Sequence, residues 1–295
     1  MRGVWLVEFS DIAAWWAGWS FGLASAGCRY DACMKLDGYR PSVPGLFVTG
    51  TDTDVGKTVV SCAIALAMRH QRSGARVGVS KPFASGCRKE RGGLVADDTQ
   101  ALAHFSDCRV PLDDITPVRF REPLAPAVAA QLHGQKIDWD HVARAMQRVD
   151  EACDVVIVEG VGGVMVPLDP EPPGVTILDL ARAIGYPVVV VARSGLGTLN
   201  HTALSVAVLR GAGLRIAGIV MNDYMPDDAL AMAEDPSRVD NRAWLSNLTG
   251  CPVLAVAPRV QGPAIDLGRG VLDASILESI AQVDWWSIAA PTRQA

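Results

Sequence analysis

What most limits the fold of this chain is an alternation that begins after Pro44. Short apolar runs at Leu46–Thr49, Arg76–Ser80, Val155–Val158, Pro187–Ala192, Ile216–Met221 and Pro252–Val256 are separated by longer segments with helical patterning near 57–72, 139–152, 176–184, 199–212 and 240–249. Several runs are apolar at nearly every position, as expected of strands covered on both faces. Gly74, Gly185, Gly213 and Gly250 each stand where one of these helices would end, suiting a left-handed C-terminal cap. Strand–helix alternation implies right-handed crossovers and a parallel sheet. The sequence therefore predicts an α/β fold: a single, doubly wound parallel sheet flanked by helices, over residues 45–283, with a C-terminal tail at 284–295. No internal repeat and no linker divides it. At 49% hydrophobic and 20% charged residues, the chain has ample material for a large core, and disorder as the main state is excluded.

A formal charge of −5 and a pI near 5.5 argue against a nucleic-acid partner, which usually requires a basic face. They do not argue against anionic ligands, because backbone N–H groups bind phosphate locally. The seven cysteines (28, 33, 62, 87, 108, 153, 251) are odd in number and include no CxxC pair. That usage fits a reducing, cytoplasmic compartment rather than a disulfide framework or a zinc site. Cys62, Cys153 and Cys251 adjoin apolar runs and read as small core residues.

The N-terminal region is of another kind. Trp5, Trp15, Trp16 and Trp19 are half of the eight tryptophans, and Ile12–Cys28 carries no charge over 17 residues. That length reaches only the lower end of the roughly 17–25 residues of a spanning helix, and Ala, Gly, Ser and Trp dominate it. Arg2 is followed by Glu8 and Asp11, unlike the basic start of a signal peptide. Ala26-Gly27-Cys28 resembles a lipoprotein cleavage site, but Ser25 stands where Leu is expected. Residues 1–44 are thus expected to be an extension outside the working fold, with no membrane partner. Met34 opens a conventional start, Met-Lys-Leu-Asp-Gly-Tyr-Arg-Pro, and is a candidate translation start.

The strongest local signal is Gly50-Thr-Asp-Thr-Asp-Val-Gly56-Lys57-Thr58, directly after a predicted strand and opening a predicted helix. A phosphate-binding P-loop needs that context: glycines turn N–H groups toward phosphate oxygens, and the helix N-terminus adds its dipole. Lys57 would reach the β/γ-phosphates, and the Thr58 hydroxyl would ligate Mg²⁺. Five residues separate the two glycines, where the ordinary motif has four. An ordinary strand-to-helix turn is the competing reading.

Asp154-Val-Val-Ile-Val-Glu159-Gly160 places a carboxylate at the carboxyl end of an apolar strand, where open α/β sheets bind ligands. Glu159 could hold Mg²⁺ directly or through water, and Gly160, Gly162 and Gly163 suit a backbone that wraps closely around a ligand. Asp97-Asp98 offers further carboxylates or a helix N-cap, and the residues alone leave both open. Lys81, in Lys81-Pro-Phe-Ala-Ser-Gly86, would project into the same crevice as Lys57, where two lysines could neutralise a transferring phosphoryl group and its acceptor. A surface Lys at a strand exit is the alternative. Arg88-Lys89-Glu90-Arg91 reads as a solvated loop, and His201 as a structural donor near a helix start.

Taken together, Phe47–Thr58, Lys81–Gly86, Val158–Gly163, Leu196-Gly-Thr-Leu-Asn-His201 and Met221-Asn-Asp223 resemble ATP-dependent dethiobiotin synthetase, a P-loop NTPase family. The likeness runs from about Gly45 to about Val260, and the longer glycine spacing belongs to it. It implies a homodimeric ligase of biotin biosynthesis that joins 7,8-diaminononanoate and CO2 (bicarbonate) with ATP to give dethiobiotin, ADP and phosphate. By position, the resemblance implies Lys57 and Lys81 as catalytic residues and Thr58, Asp98 and Glu159 as the Mg²⁺ set. It implies ATP contacts from Asp54, Val55, Gly56, Lys57, Thr58, Val59, Asp98, Glu159, Gly160, Val161, Gly162, Asn222, Asp223, Pro258, Arg259 and Val260. Substrate contacts would come from Thr53, Ser85, Leu196, Gly197, Thr198 and Asn200, the last four reaching the distal carboxylate across the dimer.

Three positions depart from the family pattern: Asp54 where Glu is frequent, Ser80 where a bulky residue is usual, and Ala257 where Ile is commoner. None removes a charge that the reaction needs. Two other classes share parts of the pattern. A P-loop amidoligase would usually carry a glutaminase domain, which is absent here. A partitioning-type ATP switch would typically place a second Lys inside the phosphate loop, where this chain has Thr51, Asp52, Thr53 and Asp54.

Overall fold

The computed structural model describes residues 36, 39–171, 175–225 and 238–290. Most of the expected N-terminal extension, positions 1–35 and 37–38, lies outside the described residues. Each of the six apolar runs is a strand of one sheet: β1 (Gly45–Gly50), β2 (Val77–Ser80), β3 (Val155–Gly163), β4 (Val188–Arg193), β5 (Ile216–Tyr224) and β6 (Val253–Pro258). They lie in the order β2-β3-β1-β4-β5-β6, every pair parallel. The chain leaves β1 toward one edge and later crosses to build the other, so the strand order reverses around β1. The crevice at the carboxyl ends beside such a reversal is where open α/β sheets bind their ligands.

The helices are α1 (Lys57–Gln71), α2 (Asp97–Ser106), α3 (Leu112–Ile115), α4 (Pro126–His133), α5 (Trp139–Ala152), α6 (Ile177–Ile184), α7 (Thr198–Gly211), α8 (Arg238–Thr249), α9 (Ala274–Ala281) and α10 (Trp285–Ala289). Why the strands read as continuous apolar runs is visible in β3. Val155 and Ile157 join a core with Ile64 and Met68 of α1, Leu102 of α2 and Ile276 of α9. Val156 and Val158 point the other way, into a core with Met146 of α5, Leu180 of α6, Leu209 of α7 and Leu245 of α8. With both faces dry, polar residues have no place except at the strand ends.

The expected helices all form, within a residue or two. Local patterning missed α2, α4, α9 and the exposed hairpin Arg88–Glu90/Gly93–Val95. The fold also extends beyond both expected limits. Leu36 and Tyr39 are buried, and Ser42 donates from its N–H (2.8 Å) and its hydroxyl (2.5 Å) to the buried Asp150. At the other end, the tail expected from 284 is part of the core as far as Ala289. Trp285 is fully buried and donates its indole N–H to the Ile280 carbonyl at 2.8 Å, and Trp286 donates to the Met68 carbonyl at 3.0 Å. Two large rings whose N–H groups both find acceptors anchor a helix that its own length could not sustain. Residues 291–295 lie outside the described residues.

Trp285→Ala is therefore expected to lower stability by about 3–5 kcal/mol in urea unfolding. A cost below about 1 kcal/mol would show that α10 is an appendage after all.

Candidate active site

Between β1 and α1, residues 51–56 form the loop that follows the first strand. Gly56, the N-cap of α1, sits at φ 91°, and a Cβ there would lie 2.0 Å from Asn222 Nδ2. Only glycine meets both demands. Asp54 is left-handed as well, at φ 57°. Lys57 is buried and donates from Nζ to the Asp52 carbonyl at 2.9 Å, closing the loop over itself. Burial depresses the Lys57 ammonium below its usual pKa, against the pull of Glu159 and Asp98.

The next two strands supply the charges. Ser80 of β2 is in register with Val158 of β3, so Lys81 and Glu159 are the following positions on adjacent strands. Glu159 is 1% exposed; its Oε1 accepts from Thr58 Oγ1 and from Lys81 Nζ, both at 2.8 Å, while its Oε2 is buried without a hydrogen-bond partner. Lys81 Nζ also pairs with Asp98. Burial alone would lower the Lys81 pKa, but Glu159 and Asp98 outweigh it and raise the ammonium above the ordinary lysine value. With that sign, the stabilising contribution is complete below the ordinary lysine pKa. It is lost only as pH rises through the higher folded value, so neutral solution leaves it intact.

Asp97 and Asp98 are divided between two roles. The N-cap of α2 is Ala96, with no side-chain cap, so neither acid is the cap. Asp98 turns to Lys81, while Asp97 takes Arg88 Nε at 2.8 Å and Nη2 at 2.6 Å. The segment from Arg88, expected to be a solvated loop, is thus a hairpin strand tied to α2 through one of its arginines. Among the described residues no cluster of three or more His, Cys, Asp or Glu occurs. Thr58, Asp98 and Glu159 nevertheless form an all-oxygen donor set with one orphaned carboxylate oxygen. That suits a hard cation completing its shell with water and phosphate oxygens.

At the far side of the loop, Asn222 at the end of β5 donates from Nδ2 to the Val55 carbonyl at 3.1 Å. Asp223 is left-handed, at φ 60°, and receives Arg259 in a fork, Nε at 2.7 Å and Nη2 at 3.1 Å. Its carbonyl accepts from Ser194 Oγ at 2.7 Å. Pro258 closes β6, with Arg259 and Val260 following. Gly160, Val161 and Gly162 lie in the second half of β3. Gly162 is left-handed, at φ 62°, and a Cβ there would approach Val166 Cγ2 to 2.7 Å. Val59 is in the first turn of α1, half-buried, and Thr53 is an exposed loop residue whose carbonyl accepts from Arg193 Nη2 at 3.4 Å. Ser85 follows the short strand Phe83–Ala84 and is half-buried.

Leu196, Gly197, Thr198 and Asn200 stand apart from that group. They form the turn from β4 into α7, with Gly197 left-handed at φ 88° and Leu196 83% exposed. In the sheet order β4 lies three strands from β2, on the order of 14 Å from the Lys81 position. All the expected site residues lie at the carboxyl end of the sheet, and this turn is set apart from Lys81 by the two strands between β4 and β2.

A family model described as "AAA domain" matches residues 44–262. A protein of Anaeromyxobacter sp. (strain K) named ATP-dependent dethiobiotin synthetase is 45% identical over 214 residues, 72% of this chain and 89% of the relative. Another of that name, from Anaeromyxobacter dehalogenans (strain 2CP-1), is 45% identical with the same coverage, and one from Bacillus subtilis (strain 168) is 37% identical over 216 residues, 73% and 87%. The chain belongs to the ATP-dependent dethiobiotin synthetase family.

As a member of that synthetase family, the chain keeps every expected site residue inside the matched span, whereas α9 and α10 lie beyond it. Three residues near the synthetase site were not singled out from the sequence. Arg193 ends β4 within 3.9 Å of Asp52, and a charge closing an apolar strand run was a usable signal for it. Ser194 and the buried Asn241, whose Nδ2 donates to the Ser194 carbonyl at 2.8 Å, have no local signature, because only tertiary contacts give them their role.

Removing one partner of a buried ion pair strands the other charge. Lys81→Met should therefore cost about 3–5 kcal/mol in urea unfolding without nucleotide. Combined with Glu159→Gln, it should cost at least about 1 kcal/mol less than the sum of the two single changes. Additivity would show that the pair does not hold the site together.

Proposed function

We propose that this chain makes dethiobiotin from 7,8-diaminononanoate, CO2 and ATP, with the chemistry centred between Lys57 and Lys81. The observation that carries this reading is the convergence on Glu159: the phosphate loop through Thr58 and the second strand through Lys81 meet on one buried carboxylate. One amine of the substrate captures CO2 as a carbamate. A carbamate oxygen then attacks the γ-phosphorus of ATP and ADP leaves, giving a carbamic–phosphoric anhydride. The second amine attacks the carbamate carbon, the ring closes and phosphate departs.

A carbamate is a weak anionic nucleophile approaching an anionic phosphate, so the site must hold two negative groups together by position and charge. Lys57 would lie on the phosphates from within the loop. Lys81 neutralises Glu159 and Asp98, and its ammonium would turn to the carbamate as those acids pass to a cation. Mg²⁺ on Thr58, Asp98 and Glu159 would offset the phosphate charge. Asn222, Asp223 and the Pro258–Val260 segment would receive the base. Thr53 and Ser85 would border the diamine, and the Leu196–Asn200 turn would take the distal carboxylate at the start of α7, where a helix N-terminus favours an anion.

A homodimer would bring that turn to the lysines of the second copy. The exposed Leu196, Met165 and Leu204 near the loop are side chains that such an interface would cover. Among the described residues no helix is long and apolar enough to cross a membrane.

The test is ADP release from MgATP with the diamine and bicarbonate omitted in turn, and product identified by mass. Release that needs both, with the cyclic urea formed, is expected. Hydrolysis indifferent to the diamine would sink the reading. Lys57→Ala and Lys81→Ala should each lower turnover by about 100–1,000-fold. A folded Lys81→Ala protein with a near-normal rate would remove Lys81 from the reaction.

A further inference from the structure

At the end of the sheet opposite the nucleotide loop, a cleft of about 590 Å³ opens beside the start of β2. Arg69, His70, Arg76 and Arg109 line it, together with two thiols, Cys108 and Cys153. The lining holds three guanidinium groups against one carboxylate, Asp107, which meets Arg69 at 3.7 Å; Arg76 pairs at 2.5 Å with Asp154, outside the lining. The chain itself brings the two thiols there. Cys108 follows Asp107, the left-handed C-cap of α2 at φ 56°, and Cys153 is the C-cap of α5. Cys153 Sγ lies over β2, 2.7 Å from where a Cβ on Gly78 would be. β2 is an edge strand, whose outer N–H groups the ladder does not use. The Cys108 side chain lies beside this edge, next to the backbone of Val79 and Val110 and the side chain of Cys153. Cys153 is buried, whereas Cys108 is half-buried and open to the cleft.

A half-buried thiol beside a second thiol, in a cleft lined mainly by cations, is a setting that favours a thiolate. The Cys153 side chain, with the N–H groups of Val110 and Val79, lowers the Cys108 thiol below its ordinary value, against burial and Asp107. The same contact raises Cys153.

We propose that Cys108 and Cys153 are a peroxide-reactive thiol pair, with Cys108 the attacking and Cys153 the resolving sulfur. The Cys108 thiolate attacks one oxygen of hydrogen peroxide, the O–O bond breaks, and the hydroxide released takes a proton to leave as water. Cys108 is then a sulfenic acid. The Cys153 sulfur attacks that sulfur and the S–O bond breaks. The second hydroxide takes the Cys153 proton, leaving a disulfide and a second water. Two thiols have lost two electrons, and peroxide has gained them. The bond would tie the C-terminal end of α2, whose first turn carries Asp98, to the C-terminal end of α5.

The full chain, reduced and freed of reductant, is treated with hydrogen peroxide, alkylated and mapped by mass spectrometry. The expected result is loss of both alkylatable thiols and recovery of the Cys108 and Cys153 peptides joined, lighter by two hydrogens. In Cys153→Ser, Cys108 should be trapped by dimedone as the sulfenic acid, and in Cys108→Ser, Cys153 should stay alkylatable. Cys108 remaining alkylatable in peroxide-treated wild type of native circular dichroism would overturn the proposal. So would its recovery joined to a cysteine other than Cys153.

Discussion

A carboxylate buried to 1% exposure is the constraint around which the site is arranged. Removing such a charge from water costs several kcal/mol unless partners replace the lost hydration. Glu159 meets that demand with one hydrogen bond from the loop side, through Thr58, and one from the next strand, through Lys81. Lys81 is itself buried, and needs a second anion, which Asp98 supplies from the first turn of α2. Four elements separated in sequence are thereby held to one geometry. Lys81 and Glu159 depend on each other, because the loss of either leaves the other charge stranded in a dry setting. A site held this way is organised before any ligand enters, as electrostatic catalysis requires.

The fold was readable because its sheet is covered on both faces. Burial of β3 from both sides turns Val155–Val158 into an uninterrupted apolar run, and Glu159, the first charge after it, falls at the ligand-binding edge. Continuous burial thus locates both the strand and the functional end of it. What escaped reading has the opposite character. α4, Pro126–His133, is rich in alanine and carries no sharp stripe, and α10 is too short for periodicity to register. The hairpin at Arg88–Val95 is mostly exposed, so its sequence looks like any solvated segment. Trp285 and Trp286 carried a usable signal, since two adjacent tryptophans are costly to leave in water, but only the carbonyls of Ile280 and Met68 give them a destination.

Within the site, legibility followed backbone proximity. The loop, Lys81 and Glu159 sit directly at strand ends, and motif spacing finds them. The pairing of Asp98 with Lys81 rather than with its own helix end depends on how α2 packs, which no spacing encodes. Asn241 is further removed still: it reaches the crevice through the Ser194 carbonyl, and Ser194 in turn through that of Asp223. Relays of this kind leave ordinary polar residues in the sequence and become visible only when the strands are side by side.

The extra residue of the phosphate loop has a structural consequence that links its two ends. A longer connection between the same strand and helix must spend the added length somewhere, and here two left-handed residues, Asp54 and Gly56, flank Val55. That conformation turns the Val55 carbonyl toward β5, where Asn222 Nδ2 donates to it at 3.1 Å. Glycine at 56 is what allows the approach, because a Cβ would fall on that same nitrogen. The side chain proposed to meet the nucleobase therefore also fixes the loop proposed to meet the phosphates. Anything that pulls Asn222 toward a base weakens its hold on Val55, and the Asp223–Arg259 fork next to it limits how far the end of β5 can move. On the proposed roles, base recognition and phosphate grip would in this way be one mechanical unit, built from a loop one residue longer than usual and a single carboxamide.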